Sequence, residues 1–308
     1  MIPFLLLYKT MQLFAVMAIG FLLVKLRLLH SDDSVSLSRV SLYILMPVAI
    51  INSFSVKLSR DILLGFLLAC GAGVAIHLLM LAVERIFAKT AHATAVERAS
   101  VFYSNAANLI IPIVSFILGD EWVIYSLGFL SVQLVFIWSH GICLFRSGER
   151  LNLKKILLNP NIIAIGVGLV ILLTGITLPK FVTDITSSLG GVLGYVGMLI
   201  AGMTAAGLNF KEAAKNKRLY LTAAMRNIVC PLVTLAAIKL ALLFIPVAGA
   251  DNILLISFLA TMTPSAATVM QFAQIYDTET DYSVAINILT TLISCITIPL
   301  FVLVYQAL

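Results

Sequence analysis

Ten apolar runs, each near the roughly 20 residues that a helix needs to cross a bilayer, leave this chain little choice of fold. They cover residues 4–24, 36–54, 62–83, 99–118, 122–145, 161–179, 187–208, 219–245, 253–275 and 283–306. In hydrocarbon a backbone must satisfy its own hydrogen bonds, so uninterrupted runs of this length read as helices. Composition agrees. The 308 residues are 61% hydrophobic and 11% charged, against about a quarter charged in soluble domains. Too little sequence lies between the runs for a separate soluble domain. The net charge of +6 is spread over short loops and does not form a nucleic-acid patch. Cys70, Cys143, Cys230 and Cys295 lie far apart inside apolar runs, without metal spacing, and read as small buried hydrophobes. The first run lacks a basic leader and a small-residue cleavage site, and is expected to be a retained span.

Lysine and arginine set the orientation. Lys25, Arg27, Arg85, Lys89, Arg98, Arg146, Arg150, Lys154, Lys155, Lys211, Lys215, Lys217 and Arg218 lie in loops of one side. Only Lys57, Arg60 and Lys180 lie on the other. The basic side is cytoplasmic, which puts both termini outside the inner membrane. A shift of 157 residues overlays the spans and loops, placing Asn52 on Asn209 and Asp120 on Asp277. Residues 1–145 and 161–308 then form two five-helix repeats, joined by a cytoplasmic linker over 146–160 that ends in Asn159-Pro160-Asn161. An odd number of spans per repeat inverts the second in the membrane. The expected fold is all-α and polytopic: ten transmembrane helices in two inverted repeats.

Two runs are interrupted. The fourth carries N-A-A-N-L-I-I-P, Asn105 to Pro112, and the ninth carries T-M-T-P-S-A-A-T, Thr261 to Thr268. Proline removes a donor and clashes with the preceding turn, and lipid cannot repair the gap. Paired interruptions in the two halves of a membrane chain point to a transporter's binding site. Unwinding there exposes helix N-termini, whose free N–H groups and partial positive charge bind anions. Asn105, Asn108, Thr263, Ser265, Thr268 and Gln271, with Pro112 and Pro264, are the expected substrate site. A competing structural reading has these polar side chains repairing freed backbone. Arg226, inside the eighth run, joins the candidates because intramembrane charge is costly. Lys239 is a weaker candidate, and snorkelling is the competing reading for both, since each lies about seven residues from a run end. Pro47, Asn52 and Asn209 are expected structural or hinge positions, and the glycines of the seventh run are read as helix packing.

His77 and His140 lie on different runs, and His30 and His92 lie in loops, so no catalytic or metal constellation forms. No enzyme activity, cofactor or metal is expected. Aspartate and glutamate lie in loops or at run ends, Glu84 being the most embedded. A cation would lack carboxylates to replace its hydration, so an anion suits the interior better.

Several stretches resemble the auxin efflux carrier family of membrane transport proteins, in its bacterial branch of malonate and malate permeases. They are Ile19–Leu29, Ser38–Pro47, the Asn105 and Pro112 pair, Asn159–Ala164, Gly202–Leu208, Met225–Leu232 and Ala260–Thr268, in order along nearly the whole chain. The resemblance implies ten spans, with spans 4 and 9 as broken crossover helices and a scaffold past which the rest moves substrate. It implies a small organic anion such as malonate or malate. The family's Thr-Gly after the asparagine and its Gly near the proline are here Ala106-Ala107 and Ile110-Ile111. The expected function is a secondary active or potential-driven carrier of a small carboxylate, electrogenic unless a cation such as H+ or Na+ accompanies it. A sodium-coupled carrier of the bile-acid type is the alternative, and a non-transporting receptor or scaffold a more distant one. The lipid bilayer is the expected setting, and a homodimer is left open.

Overall fold

A computed structural model describes residues 2–55, 59–145, 154, 157–245, 247 and 249–308, without the side chains of residues 2–7, 9, 10, 107, 108, 112, 210, 274 and 275. The chain builds α1 (Ile2–Lys25), α2 (Asp33–Ser53), α3 (Arg60–Ala91), α4 (Ala95–Phe102), α5 (Ala106–Leu118), α6 (Asp120–Phe145) and α7 (Pro160–Thr174). It continues with α8 (Lys180–Gly207), α9 (Lys217–Leu242), α10 (Ala250–Met262), α11 (Ala267–Ile275) and α12 (Thr280–Ala307). Among the described residues no strand forms beyond a single bridge, Ser104 to Ser265.

Six of these helices, α2, α3, α6, α8, α9 and α12, are long and apolar enough to cross a membrane. Shorter apolar helices occupy Met11–Lys25, Leu109–Leu118, α7 and α10. This is a multi-pass membrane protein. Leu22, Leu67, Val170, Leu232 and Ile296 stand exposed on its outer face, where lipid replaces the core that a soluble protein would need. The fourth apolar run is divided between α4 and α5, and the ninth between α10 and α11. The sixth run ends earlier than hydropathy suggests, because Gly175 takes a left-handed φ of 68° after Thr174.

Local chemistry sets the helix starts. Thr94 and Glu97 form a reciprocal capping box at the head of α4. Ser59 and Asn216 cap α3 and α9. The Asn159-Pro160-Asn161 motif works as a helix start. Asn159 Oδ1 accepts the Asn161 amide at 2.9 Å, and Pro160 occupies the first turn of α7, where its missing N–H costs nothing. Two π-turns, Ser41–Leu45 and Met225–Val229, precede Pro47 and Pro231. The wider ring gives the proline room over the preceding turn, so α2 and α9 continue through it.

The helices pack in two groups, which also meet where α1 lies against α12. α1 lies along the second half of α8, and α2 rests on α7 and the first half of α8. In the other group α3 packs on α6, α4 and α10, α9 on α10, and α11 on α12. Glycine lets α1 and α8 touch backbone to backbone: a Cβ on Gly202 would sit 1.9 Å from the Met17 carbonyl oxygen, and one on Gly20 2.3 Å from that of Leu199. Gly202→Ala is therefore expected to destabilise the protein by about 1–3 kcal/mol, the usual cost of overpacking. Gly191→Ala, whose Cβ would meet nothing within 4 Å, is expected to be neutral. Thermal unfolding of the two variants in detergent compares them directly, and equal midpoints would reject this contact.

Candidate functional site

The two helix breaks cross each other. After α4 the chain runs extended through Tyr103, with φ −92° and ψ 125°. After α10, Thr263 is extended at φ −62° and ψ 153°, the conformation that a following proline imposes. The Asn105 amide donates to the Pro264 carbonyl at 2.8 Å, and the Ala266 amide to the Tyr103 carbonyl at 3.0 Å. Side chains brace the crossing. Ser104 Oγ donates to Gln133 Oε1 at 2.6 Å, and Gln133 Nε2 returns a bond to the Ser104 carbonyl at 2.8 Å. Asn287 Nδ2 donates to the Ser265 carbonyl at 2.6 Å, and Thr290 Oγ1 accepts the Ser265 amide at 3.2 Å.

The first break is not where proline suggested. It covers Tyr103 to Asn105, and α5 is helical from Ala106 through Pro112. The side chains of Asn108 and Pro112 lie outside the described residues. Thr263, Pro264 and Ser265 form the second break, and there they serve the backbone: Thr263 Oγ1 donates to the Ala260 carbonyl at 2.9 Å.

The crossing sorts the helix ends by polarity. The carbonyl ends of α4 and α10 meet Arg226, which is fully buried in the π-turn of α9. Its Nη1 donates to the Val101 carbonyl at 3.0 Å, its Nε to that of Thr263 at 3.1 Å, and its Nη2 to those of Thr261 and Thr263 at 2.5 and 2.8 Å. A guanidinium with its donors spent on two negative helix ends acts as a staple. Arg226 does not line the cavity described next. Lys239 is also elsewhere, 3.9 Å from the centroid of the Tyr305 ring and 3.9 Å from Asp251 Oδ1.

The opposite ends, the N-termini of α5 and α11, face a cavity of about 40 Å³ between the two helix groups. Asn105, Gln133, Thr268 and Gln271 line it from one group, and Ser38, Ser41, Asn161 and Gly197 from the other. Among the described residues no charged side chain lines it. Asn161 is buried and donates Nδ2 to the Leu42 carbonyl at 3.2 Å, while its Oδ1 has no hydrogen-bond partner. So the structure gathers Asn105, Thr268 and Gln271, leaves Arg226, Thr263 and Ser265 outside the cavity, and adds Gln133, Asn161 and Ser41. Gln133 carried a signal in the sequence, as an amide in the middle of an apolar run.

Asn52 and Asn209 line two wider cavities. The first, about 920 Å³, also holds Ser55, Asp120, Glu121 and Asp184, and Asn52 Oδ1 accepts from Thr186 Oγ1 at 3.0 Å. The second, about 450 Å³, holds Asn209, Glu212, Lys215 and Asp281. Near it, Glu97 ties α4 to α9 and α12, accepting from Arg218 Nη2 at 2.5 Å, Arg218 Nε at 2.7 Å and the Tyr282 hydroxyl at 2.8 Å.

Helices broken in mid-run, meeting at a cavity where amides and hydroxyls interrupt an apolar lining between two packed groups, make this a membrane protein of the transporter class. The family model of the membrane transport proteins matches residues 5–153 and 148–302, nearly the whole chain, so the chain belongs to this family, which holds the auxin efflux carriers. A search of curated proteins finds no match.

Proposed function

We infer that the protein carries a small organic anion, a carboxylate, across the inner membrane. The polarity of the crossing carries this reading. Two helix N-termini at roughly half a positive charge each present about one charge to the cavity, without a basic side chain. Arg226 neutralises the two negative ends on the other side, so the cavity does not feel them. A carboxylate there gains N–H donors and the amides of Asn105 and Gln271, whereas a cation finds no carboxylate among the described lining residues to offset its desolvation.

Ten spans are the natural reading of the helices, with α4–α5 and α10–α11 as crossover pairs of two inverted repeats and both termini outside. The group of α1, α2, α7 and α8 is the scaffold, and the other group moves. A cavity of about 40 Å³ is close to the ~30 Å³ share of one water molecule, so this conformation is closed around the site. Sliding of the groups would open it toward the vestibule at Asn52 or the one at Asn209.

Purified protein in proteoliposomes is expected to show saturable uptake of malonate or another small carboxylate. Saturable transport of tetraethylammonium, with no response to any carboxylate, overturns the reading. The carboxylates Asp120, Glu121 and Asp184 at the wider vestibule favour a second reading, in which sodium accompanies the anion. Uptake that needs sodium and fails in choline would select it.

A further inference from the structure

Outside the anion cavity, three side chains lead from the end of α3 to the first break. Tyr103 begins the break, and its carbonyl takes the Ala266 amide that joins the two crossings. Its hydroxyl oxygen lies 2.8 Å from the Phe136 carbonyl oxygen and 2.9 Å from His140 Nδ1. A carbonyl has no proton to give, so the single phenolic proton belongs to the contact with Phe136. The tyrosine oxygen then accepts from His140, and Nδ1 carries a proton. The other imidazole nitrogen, Nε2, faces Glu84 Oε2 at 4.0 Å.

Glu84 is completely buried. Its Oε1 is held by Arg98 Nε, while its Oε2 has no hydrogen-bond donor. A buried carboxylate oxygen without a donor is costly. With Nδ1 protonated, a neutral imidazole turns a lone pair toward that oxygen. A second proton, on Nε2, converts the contact into a charge-assisted hydrogen bond.

We propose that the His140–Glu84 pair is a proton-binding site, linked through Tyr103 to the crossing, by which a proton travels with the carboxylate. The cargo rests on the anion-carrier reading; the protonation does not. The proton adds to the Nε2 lone pair and no bond breaks. The site gains one positive charge, which offsets one charge of the anion. Closing the gap from 4.0 Å to about 2.8 Å shifts the ring, and the ring holds the Tyr103 hydroxyl. The charges acting on His140 are Glu84 and Arg85 from α3 and Arg98 from α4. On its other sides lie Phe102, 4.9 Å away between ring centroids, and Phe272 of α11, which packs on the adjacent Gly141. Cys143 of α6 acts on Tyr103, and His77 of α3 is turned to the Gly73 carbonyl. Arg98 and His140 are 33% and 21% exposed, so this end of the row opens to the protein surface.

The chain has four histidines, so 15N-histidine NMR of the protein in lipid can isolate His140 by difference with His140→Gln. Its signal is expected to change from the neutral Nδ1–H tautomer to imidazolium as the pH is lowered. Glu84→Gln is expected to weaken the imidazolium signal at a given pH, because the charge that faces the imidazolium is gone. A neutral Nε2–H tautomer, or a signal indifferent to both pH and Glu84→Gln, overturns the proposal. In proteoliposomes, His140→Gln is expected to keep malonate exchange at equal pH and to lose its acceleration by a proton gradient. Acceleration retained in His140→Gln also overturns it. Failure of the parental protein to exchange malonate counts against the anion-carrier reading alone, and the NMR result still decides the proton site.

Discussion

Replacing Arg226 with glutamine is expected to cost about 3 kcal/mol or more of stability, and transport with it. The guanidinium serves the carbonyls of Val101, Thr261 and Thr263, which belong to two different broken helices. Glutamine brings one amide group in place of five donors, so it leaves buried carbonyls bare at about 1–3 kcal/mol each. At ~2–4 °C per kcal/mol the unfolding midpoint should fall by about 6 °C or more. A substrate-binding arginine predicts another pattern, in which the apparent affinity for malonate weakens and the midpoint stays put. Arg226→Lys discriminates further. It keeps the charge but not the fork that spans both helix ends, and is expected to fail nearly as badly. Normal thermal stability in both variants would remove the staple from the account.

Asn105→Ala and Gln271→Leu are expected to do the reverse. Each lowers malonate uptake at limiting substrate by about tenfold or more, since a hydrogen bond to a charged group contributes roughly 1.5–3 kcal/mol. Stability should barely change. Both side chains lie at the cavity wall, and neither supplies one of the braces from Gln133, Asn287 and Thr290 that hold the crossing. Initial rates in proteoliposomes, set beside unfolding midpoints, give both readouts on one preparation. Parental rates in both variants would mean that the anion does not pass between the N-termini of α5 and α11.

The membrane class and the two interruptions were legible in the residues, because both are local. Apolar runs of bilayer length force helices wherever lipid surrounds them, and a polar cluster with proline in such a run marks an interruption. Even the glycines of the seventh run carried a local message: Gly202 is small because the α1 backbone lies against it. The exact break was less legible. Asn105 and Pro112 bracket a stretch that turned out helical, because α5 absorbs its proline and the extended residues are Tyr103 to Asn105. Partnership was not legible at all. A buried arginine in an apolar run reads as a charge awaiting a substrate until the fold brings the ends of α4 and α10 to it. Glu84 read as a carboxylate near a helix end, and His140 as an isolated histidine; their 4.0 Å approach exists only because α3 packs on α6. Periodicity and hydropathy act within one helix. The matching of donors to carbonyls, and of a carboxylate to an imidazole, was decided by which helices came together.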